Sequence, residues 1–331
     1  MTSLIPVGIR GLGRYVPEKR LTNSDLESMV DTSDDWIVQR TGIKERRVAG
    51  PEEQASDMAT KAAQQALADA GLEPTEIDLI LCCTVTGDYI FPATACEIGH
   101  KLGAPQAGGW DIAAACSGFV IGAQTAAQFI ATGAAKRVLV VGVEKLSAIM
   151  DYTDRTTCIL FGDGAGAAVF TSLDEAGGRG EFLGGSAGMR GGSAGALSQP
   201  AGGTKIPTDH DSVEKRLHFV HMEGRQVYRF AVSTFAELVE STMKPYGGLD
   251  QLGLLVPHQV NQRIIEKAAD QLGLSMDRIF LNIERYGNTS AASVPIALYE
   301  ARESGRMEPG QLVCCVAFGA GLTWGHTLFR W

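Results

Sequence analysis

Trp110-Asp111-Ile112-Ala113-Ala114-Ala115-Cys116-Ser117-Gly118-Phe119 sets one cysteine among small residues, where an extended segment gives way to a helical pattern. Downstream, Val120, Ile121, Ala123, Ala126, Ala127 and Ile130 recur at helical spacing as far as Gly133. Cys116 is therefore expected at or just before the first residue of a helix. The free N–H groups and the positive end of the helix dipole favour a thiolate there. Ala115 and Gly118 would let backbone or a substrate come close. On these residues alone a small core cysteine fits about equally well, because free cysteine is often buried.

Working outward, the 331-residue chain is long enough for a large core, in one big or two medium domains. Apolar residues make up 45%, charged residues 20% and aromatic residues 7%, which suits an α/β protein rich in Ala, Gly and Val. The net charge of −9 excludes a globally basic surface, so nucleic acid is not an expected partner. An anionic ligand would need a local cluster of Arg or Lys. No apolar run is long enough to span a bilayer, so no membrane association is expected. Met1 to Pro6 lacks the charged and apolar regions of a signal peptide. The seven cysteines form no C-x-x-C pattern. Cys82-Cys83 and Cys314-Cys315 lie in apolar strand-like runs, where neighbours point to opposite faces, so no metal site is expected. Reduced thiols without a secretion signal point to the cytoplasm.

Two series of elements follow one another along the chain. A strand over Pro6–Gly13 leads in, and Gly11-Leu12-Gly13 is too short of glycines for a dinucleotide fingerprint. The first series is a helix over 55–70, a strand over 77–85, the Cys116 helix and a strand over 137–143. The glycine-rich Phe161–Val169 run then feeds a further strand and lacks the Lys-Ser/Thr of a phosphate loop. The second series is a helix over 227–243, a strand over 252–257 ending at His258, a helix over 260–272, a short strand over 279–283, a helix opened by Asn288 and a strand over 311–318. The Gly/Ala/Ser-rich region between them reads as a connection. We thus expect an N-terminal half over 1–175, a connection over 176–219 and a C-terminal half over 220–331. In this register Cys116 and Asn288 occupy equivalent helix starts. A duplicated α/β unit would gather Cys116, His258 and Asn288 near its pseudo-twofold axis, which favours a functional reading of the cysteine.

Ala115-Cys116-Ser117-Gly118-Phe119, Pro257-His258-Gln259-Val260-Asn261 and Gly287-Asn288-Thr289-Ser290-Ala291-Ala292-Ser293 resemble the three active-site motifs of the β-ketoacyl-acyl-carrier-protein synthase III family. The resemblance runs from Thr32-Ser33-Asp34-Asp35-Trp36-Ile37 to Phe318-Gly319-Ala320-Gly321-Leu322-Thr323-Trp324-Gly325. It implies the thiolase fold, a duplicated five-layered α/β/α/β/α architecture, and a homodimer. It also implies the priming condensation of type II fatty acid synthesis, between an acyl-CoA and malonyl-acyl carrier protein. No cofactor is implied, since the CoA thioester is itself a substrate.

The chemistry asks for these residue types. A cysteine accepts the acyl group. Backbone N–H groups of Cys116 and Ala320 would hold the tetrahedral oxyanion. After malonyl decarboxylation, His258 and Asn288 would donate to the enolate oxygen, and Asn288 does so without titrating. The resemblance further places Thr32, Trp36, Arg40, Arg155, Gly224 and Asn261 along the CoA path. An indole beside a guanidinium, four residues apart on one helical face, suits a purine and its phosphates. Gln259, Val260, Asn261, Gln262 and Arg263, with Arg229, resemble the carrier-docking surface. Asp270-Gln271 stand where some relatives have lysines, which implies a weaker or shifted docking patch. Phe91 matches a residue that lines the partner subunit's acyl pocket. A specialised polyketide or quinolone-type synthase with the same three residues is the alternative reading.

Overall fold

Val138-Leu139-Val140-Val141-Gly142-Val143-Glu144 is buried at every position. A strand buried on both faces needs helices above and below it. The computed structural model, which describes residues 4–331, supplies both layers.

In chain order the first half contains β1 (Val7–Tyr15), α1 (Asp34–Thr41), α2 (Ala55–Ala70), β2 (Leu79–Cys83), α3 (Thr94–Leu102), β3 (Gly108–Ile112), α4 (Gly118–Ala131), β4 (Val138–Glu144) and β5 (Gly164–Ser172). The second contains β6 (Glu181–Met189), α5 (Gly224–Met243), β7 (Leu252–Pro257), α6 (Gln262–Leu272), α7 (Ser293–Glu303), β8 (Leu312–Gly319) and β9 (Thr323–Arg330). The first sheet runs β1-β5-β4-β2-β3, with β4-β2-β3 parallel and β1 and β5 antiparallel. The second runs β6-β9-β8-β7, with only β7 and β8 parallel. A single parallel bridge from Leu255 to Ile279 adds the stub of a fifth strand beside β7. With that stub the two sheets share one strand order, as a duplication requires.

Packing follows from the sequence pattern. Ala55, Met58, Ala59, Ala62, Ala63, Ala66 and Ala70 form the buried stripe of α2. Asp57 accepts the Gln54 N–H at its start, and Gly71 in the left-handed region ends it. The small side chains bring this helix onto β1: a Cβ at Gly11 or Gly13 would lie 2.3 or 2.2 Å from the carbonyl oxygens of Ala66 and Ala62. The Gly11-Leu12-Gly13 run is thus a helix-packing surface. α2 and α3 cover the outer face of the first sheet, and α5 and α6 that of the second. α4 and α7 lie between the sheets, completing five layers.

Three expectations need correction. The region over 176–219 contains an edge strand of the second sheet: 184–189 and 181–182 pair with β9, and the backbone hydrogen bonds outweigh a glycine-rich composition. The strand expected over 279–283 shrinks to the Ile279 bridge, and Ile283–Tyr286 is a helical turn. Cys116 and Asn288 are not equivalent. Tight 3₁₀ turns over Ala115–Ser117 and Ser290–Ala292 lead into α4 and α7, so Cys116 matches Ala291 and Asn288 lies three residues before it.

The two turns touch at the centre of the molecule. A Cβ at Gly142 on β4 would lie 2.3 Å from the Ala291 carbonyl oxygen. Gly142→Ala is expected to cost about 2–3 kcal/mol of stability, as overpacked cores do. Urea unfolding of the two proteins side by side measures it, and an unchanged midpoint would contradict the close contact.

Candidate active site

Cys116 is presented by a strained turn. Ala115 has φ of 46°, and its counterpart Ser290 has φ of 50°, both outside the ordinary range for residues with a Cβ. Such conformations cost on the order of 1–3 kcal/mol and persist only where the surroundings fix them. Here the surroundings are the end of β8. A Cβ on Gly319 would lie 2.7 Å from the Cys116 nitrogen. Thr323 bonds the Ala114 carbonyl at 3.2 Å and the Ser117 hydroxyl at 2.8 Å, so the Gly319–Leu322 turn is laced to the cysteine turn. Ala320 and Cys116 therefore wall the same cavity.

His258 follows β7 directly and is fully buried. Its Nδ1 lies 2.6 Å from the Ser293 hydroxyl. That hydroxyl oxygen also accepts the Gln259 N–H at 3.4 Å, and we assign its own proton to Nδ1. The imidazole proton then sits on Nε2, which has no partner among the described residues. Burial pulls the imidazole down to about 3, so the ring is a neutral donor. Asn288 is oriented in a comparable way. Its Oδ1 accepts the Ser290 N–H at 2.8 Å, and its backbone pairs with Leu160 and Gly162. The amide nitrogen is thereby left as the free end.

The cysteine corrects one expectation. Burial pushes the Cys116 thiol up to about 12, against the helix-end effect. It is fixed in the 3₁₀ turn before α4, in apolar surroundings, and Ser290 lines the same cavity beside it. The resting group is a thiol.

Two cavities meet at Cys116. One, of about 190 Å³, is lined by Val85, Leu146, Ile149, Phe161, Leu197 and Val220. The other, of about 170 Å³, joins Cys116 to His258, Asn288, Gly224, Val260 and Asn261. Beyond it, Trp36 is sandwiched by guanidiniums, Arg40 at 4.6 Å and Arg155 at 5.2 Å from its ring. Asn261 caps α6 and donates to the Arg40 carbonyl, linking the sandwich to the cavity wall. Thr32 is half-buried, and its hydroxyl has no partner among the described residues.

The expected docking residues divide. Arg229 and Arg263 are exposed, on helices that pack together. Gln262 bonds Glu266. Gln259 is 1% exposed and bonds the backbone of Pro257, Phe280 and Asn282. It stitches strands together and offers no docking surface, because its amide is spent on three buried backbone groups. Phe91 is 84% exposed, away from its own chain's cavities.

Three residues at the site escaped the sequence reading. Ser290 and Ser293 stood inside a quoted motif, and their burial at the head of α7 was the missing signal. Glu144 closes an otherwise apolar strand and accepts hydrogen bonds from Val85, Thr84, Thr86 and Ser290 while fully buried.

A duplicated five-layered body with its cysteine, histidine and asparagine around a channelled cavity belongs to the thiolase-fold condensing enzymes. Residues 110–188 match the family description 3-oxoacyl-acyl-carrier-protein synthase III, and residues 247–331 match its C-terminal part. A β-ketoacyl-acyl-carrier-protein synthase III from Desulfitobacterium hafniense is 49% identical, covering 99% of this chain and 98% of its own. The crystal structure of 3-oxoacyl-acyl-carrier-protein synthase III from Aquifex aeolicus is 43% identical with a TM-score of 0.89, over 98% of this chain and 100% of that one. The priming β-ketosynthase of a polyketide pathway is 33% identical with a TM-score of 0.90, over 100% and 98%. The chain belongs to the β-ketoacyl-acyl-carrier-protein synthase III family.

With nitrogen-labelled histidine, NMR is expected to show His258 protonated at Nε2 and bare at Nδ1 from about pH 5 to 8. The depressed value puts its titration below that range, so no midpoint falls within it. Ser293→Ala is expected to mix the two tautomers. A midpoint near the ordinary histidine value would contradict the buried neutral ring.

Proposed function

We propose that this chain carries out the condensation that starts type II fatty acid synthesis. Cys116 takes the acyl group from an acyl-CoA and passes it to the carbanion formed when malonyl-acyl carrier protein loses carbon dioxide. The products are a 3-oxoacyl-carrier, CoA and carbon dioxide. The observation that carries this reading is the meeting of the two cavities at Cys116. One is apolar and suits an acyl chain. The other leads past His258 and Asn288 and suits a pantetheine arm.

Each residue then has a task. The N–H groups of Cys116 and Ala320 hold the oxyanion of the tetrahedral intermediate. His258 Nε2–H and the Asn288 amide hold the enolate oxygen, and as neutral donors they stabilise charge that appears only in the transition state. Trp36, Arg40 and Arg155 take the CoA nucleotide, with Thr32, Gly224 and Asn261 along its path. Arg229 and Arg263 meet acidic residues of the carrier.

We further infer a homodimer. β3 is an edge strand paired only with β2, and its Trp110 is 39% exposed. Tyr89, Ile90 and Phe91 stand exposed on the loop after β2. A bare edge beside an apolar patch invites a second copy, which would bring Phe91 to the partner's acyl cavity. Seven free thiols support a cytoplasmic location. Among the described residues no helix is long and apolar enough to cross a membrane.

Incubation with a panel of acyl-CoAs, read by intact mass, is expected to give one acyl adduct that Cys116→Ala abolishes. Asn288→Ala is expected to lower malonyl decarboxylation by roughly 10²-fold. Full condensation by that variant would refute the enolate role. Trp36→Ala is expected to raise KM for acyl-CoA about tenfold, and to leave KM for acyl-pantetheine, which lacks the nucleotide, unchanged. Acylation only by carrier-bound donors would favour the polyketide-priming alternative, which the 33% identical ketosynthase supports.

A further inference from the structure

Cys116 must lose a proton as its sulfur attacks the thioester, and none of the groups assigned above takes it. His258 presents Nε2–H to the cavity and has its other nitrogen on Ser293, so its lone pair faces away from the thiol. Asn288 is no base. The Ser290 side chain lies beside the Cys116 thiol, and both line the same cavity. The Ser290 hydroxyl in turn donates to Glu144 Oε1 at 3.0 Å. The other carboxylate oxygen accepts from Val85 N–H at 3.2 Å and from the hydroxyls of Thr84 and Thr86. Every one of these contacts suits an ionised carboxylate. The Glu144 side chain is completely buried, with Ser290 between it and the cavity.

We propose that Ser290 and Glu144 form a proton relay for the acylation of Cys116. As the bond from Cys116 Sγ to the acyl carbon forms, the thiol proton passes to Ser290 Oγ, and the Ser290 hydroxyl proton passes to Glu144. As the tetrahedral intermediate collapses and the bond from carbon to the CoA sulfur breaks, the relay runs backward and protonates the leaving sulfur. The sum is a thiol and an acyl-CoA giving an S-acyl cysteine and free CoA. Ser290 touches the reacting group, and Glu144 acts through it. The relay rests on Cys116 being the acyl acceptor.

The surroundings suit an acceptor of intermediate strength. Burial raises the Glu144 carboxyl to about 7, although its hydrogen bonds pull the other way. No cation offsets this: Lys145 turns outward to the carbonyls of Gly50 and Glu53. The other ionisable groups on the elements around it are spoken for. Asp111 on β3 is held by the N–H groups of Thr94 and Ala95, Asp88 by Ser56, and Asp163 before β5 by Ala49 and Ser147. The Cys83 thiol on β2 is raised by burial. A negative charge beside Cys116 disfavours a free thiolate, so proton loss and sulfur attack occur together. The rate of acylation should climb as pH rises through the Glu144 value, where the carboxylate becomes the dominant form.

The test is single-turnover acylation of Cys116 by acetyl-CoA, quenched and read by intact mass, from about pH 5.5 to 9. The wild type is expected to gain rate with a midpoint near 7. Glu144→Gln is expected to slow acylation by roughly 10²-fold and to abolish that inflection. Malonyl decarboxylation, which needs donors and no base, is expected to suffer at least about tenfold less. Parallel loss of both partial reactions, or an inflection that survives, overturns the relay. If Glu144→Gln does not fold, Ser290→Ala decides. It keeps the N–H that orients Asn288 but removes the hydroxyl, so loss of the inflection is the expected result and an unchanged profile refutes the relay. If the wild type forms no Cys116 adduct, the acyl-acceptor reading falls, and the relay falls with it.

Discussion

The contact between the two left-handed turns at the molecular centre constrains everything around it. Ala115 and Ser290 both adopt positive φ at the head of a helix buried between the sheets. Neither conformation is favourable locally. Each is held because Gly142 lies against the Ala291 carbonyl and Gly319 against the Cys116 nitrogen, with no room for a Cβ at either glycine. Duplication places one turn in each half, and the fold brings them together on the pseudo-twofold axis. One turn presents the thiol. The other orients Asn288 through its N–H and reaches Glu144 through its hydroxyl. A single constraint therefore positions groups 172 residues apart, from 116 to 288.

Burial then sets the charge state of what is gathered there. The Cys116 thiol is pushed up, the His258 imidazole down and the Glu144 carboxyl up, each mainly by loss of water. All three shifts favour the neutral form, as desolvation must. An enclosed, desolvated site makes each hydrogen bond stronger than it would be in water. It also means that charge developing on an oxyanion or enolate meets donors already fixed in place. A helix-end argument applied to Cys116 alone overlooks this, because the dipole acts on a group still in contact with solvent, whereas here the solvent is gone.

The legible and illegible parts of the sequence separate along this line. Buried strands such as Val138–Glu144, and the alanine stripe of α2, follow from apolar runs and helical spacing. The motifs around Cys116, His258 and Asn288 were plain, because each puts a reactive side chain at the end of an element. The alignment of the two halves shifts by three residues, since a 3₁₀ turn and an α-helix look alike in a short run of small residues. Strand β6 was hidden because Glu181–Met189 contains Gly184, Gly185 and Gly188, and its identity comes from pairing with β9 rather than from local propensity. Gln259 was assigned to the docking surface by resemblance of its segment, yet its amide satisfies three buried backbone groups. Glu144 was invisible because its partners lie about 60 and 146 residues away.

The two cavities differ in how firmly they are built, and that difference divides chemistry from selectivity. The channel past His258 and Asn288 takes most of its wall from strand ends, buried turns and the packed helices α5 and α6, and shares Leu197 with the acyl cavity. The acyl cavity takes part of its wall from Leu197, Ser198 and Gln199, which follow the glycine-rich turn Gly191–Ala196. In that turn Gly191, Gly192 and Gly195 have open space where a side chain would go. Substitutions there alter the pocket mouth at little cost to the core, since loops tolerate change that packed elements do not. A family built this way would keep the acyl-transfer machinery constant while its members diverge in the primer they accept. The same division fits the TM-score of 0.90 between this β-ketoacyl-acyl-carrier-protein synthase III family member and the priming β-ketosynthase of a polyketide pathway.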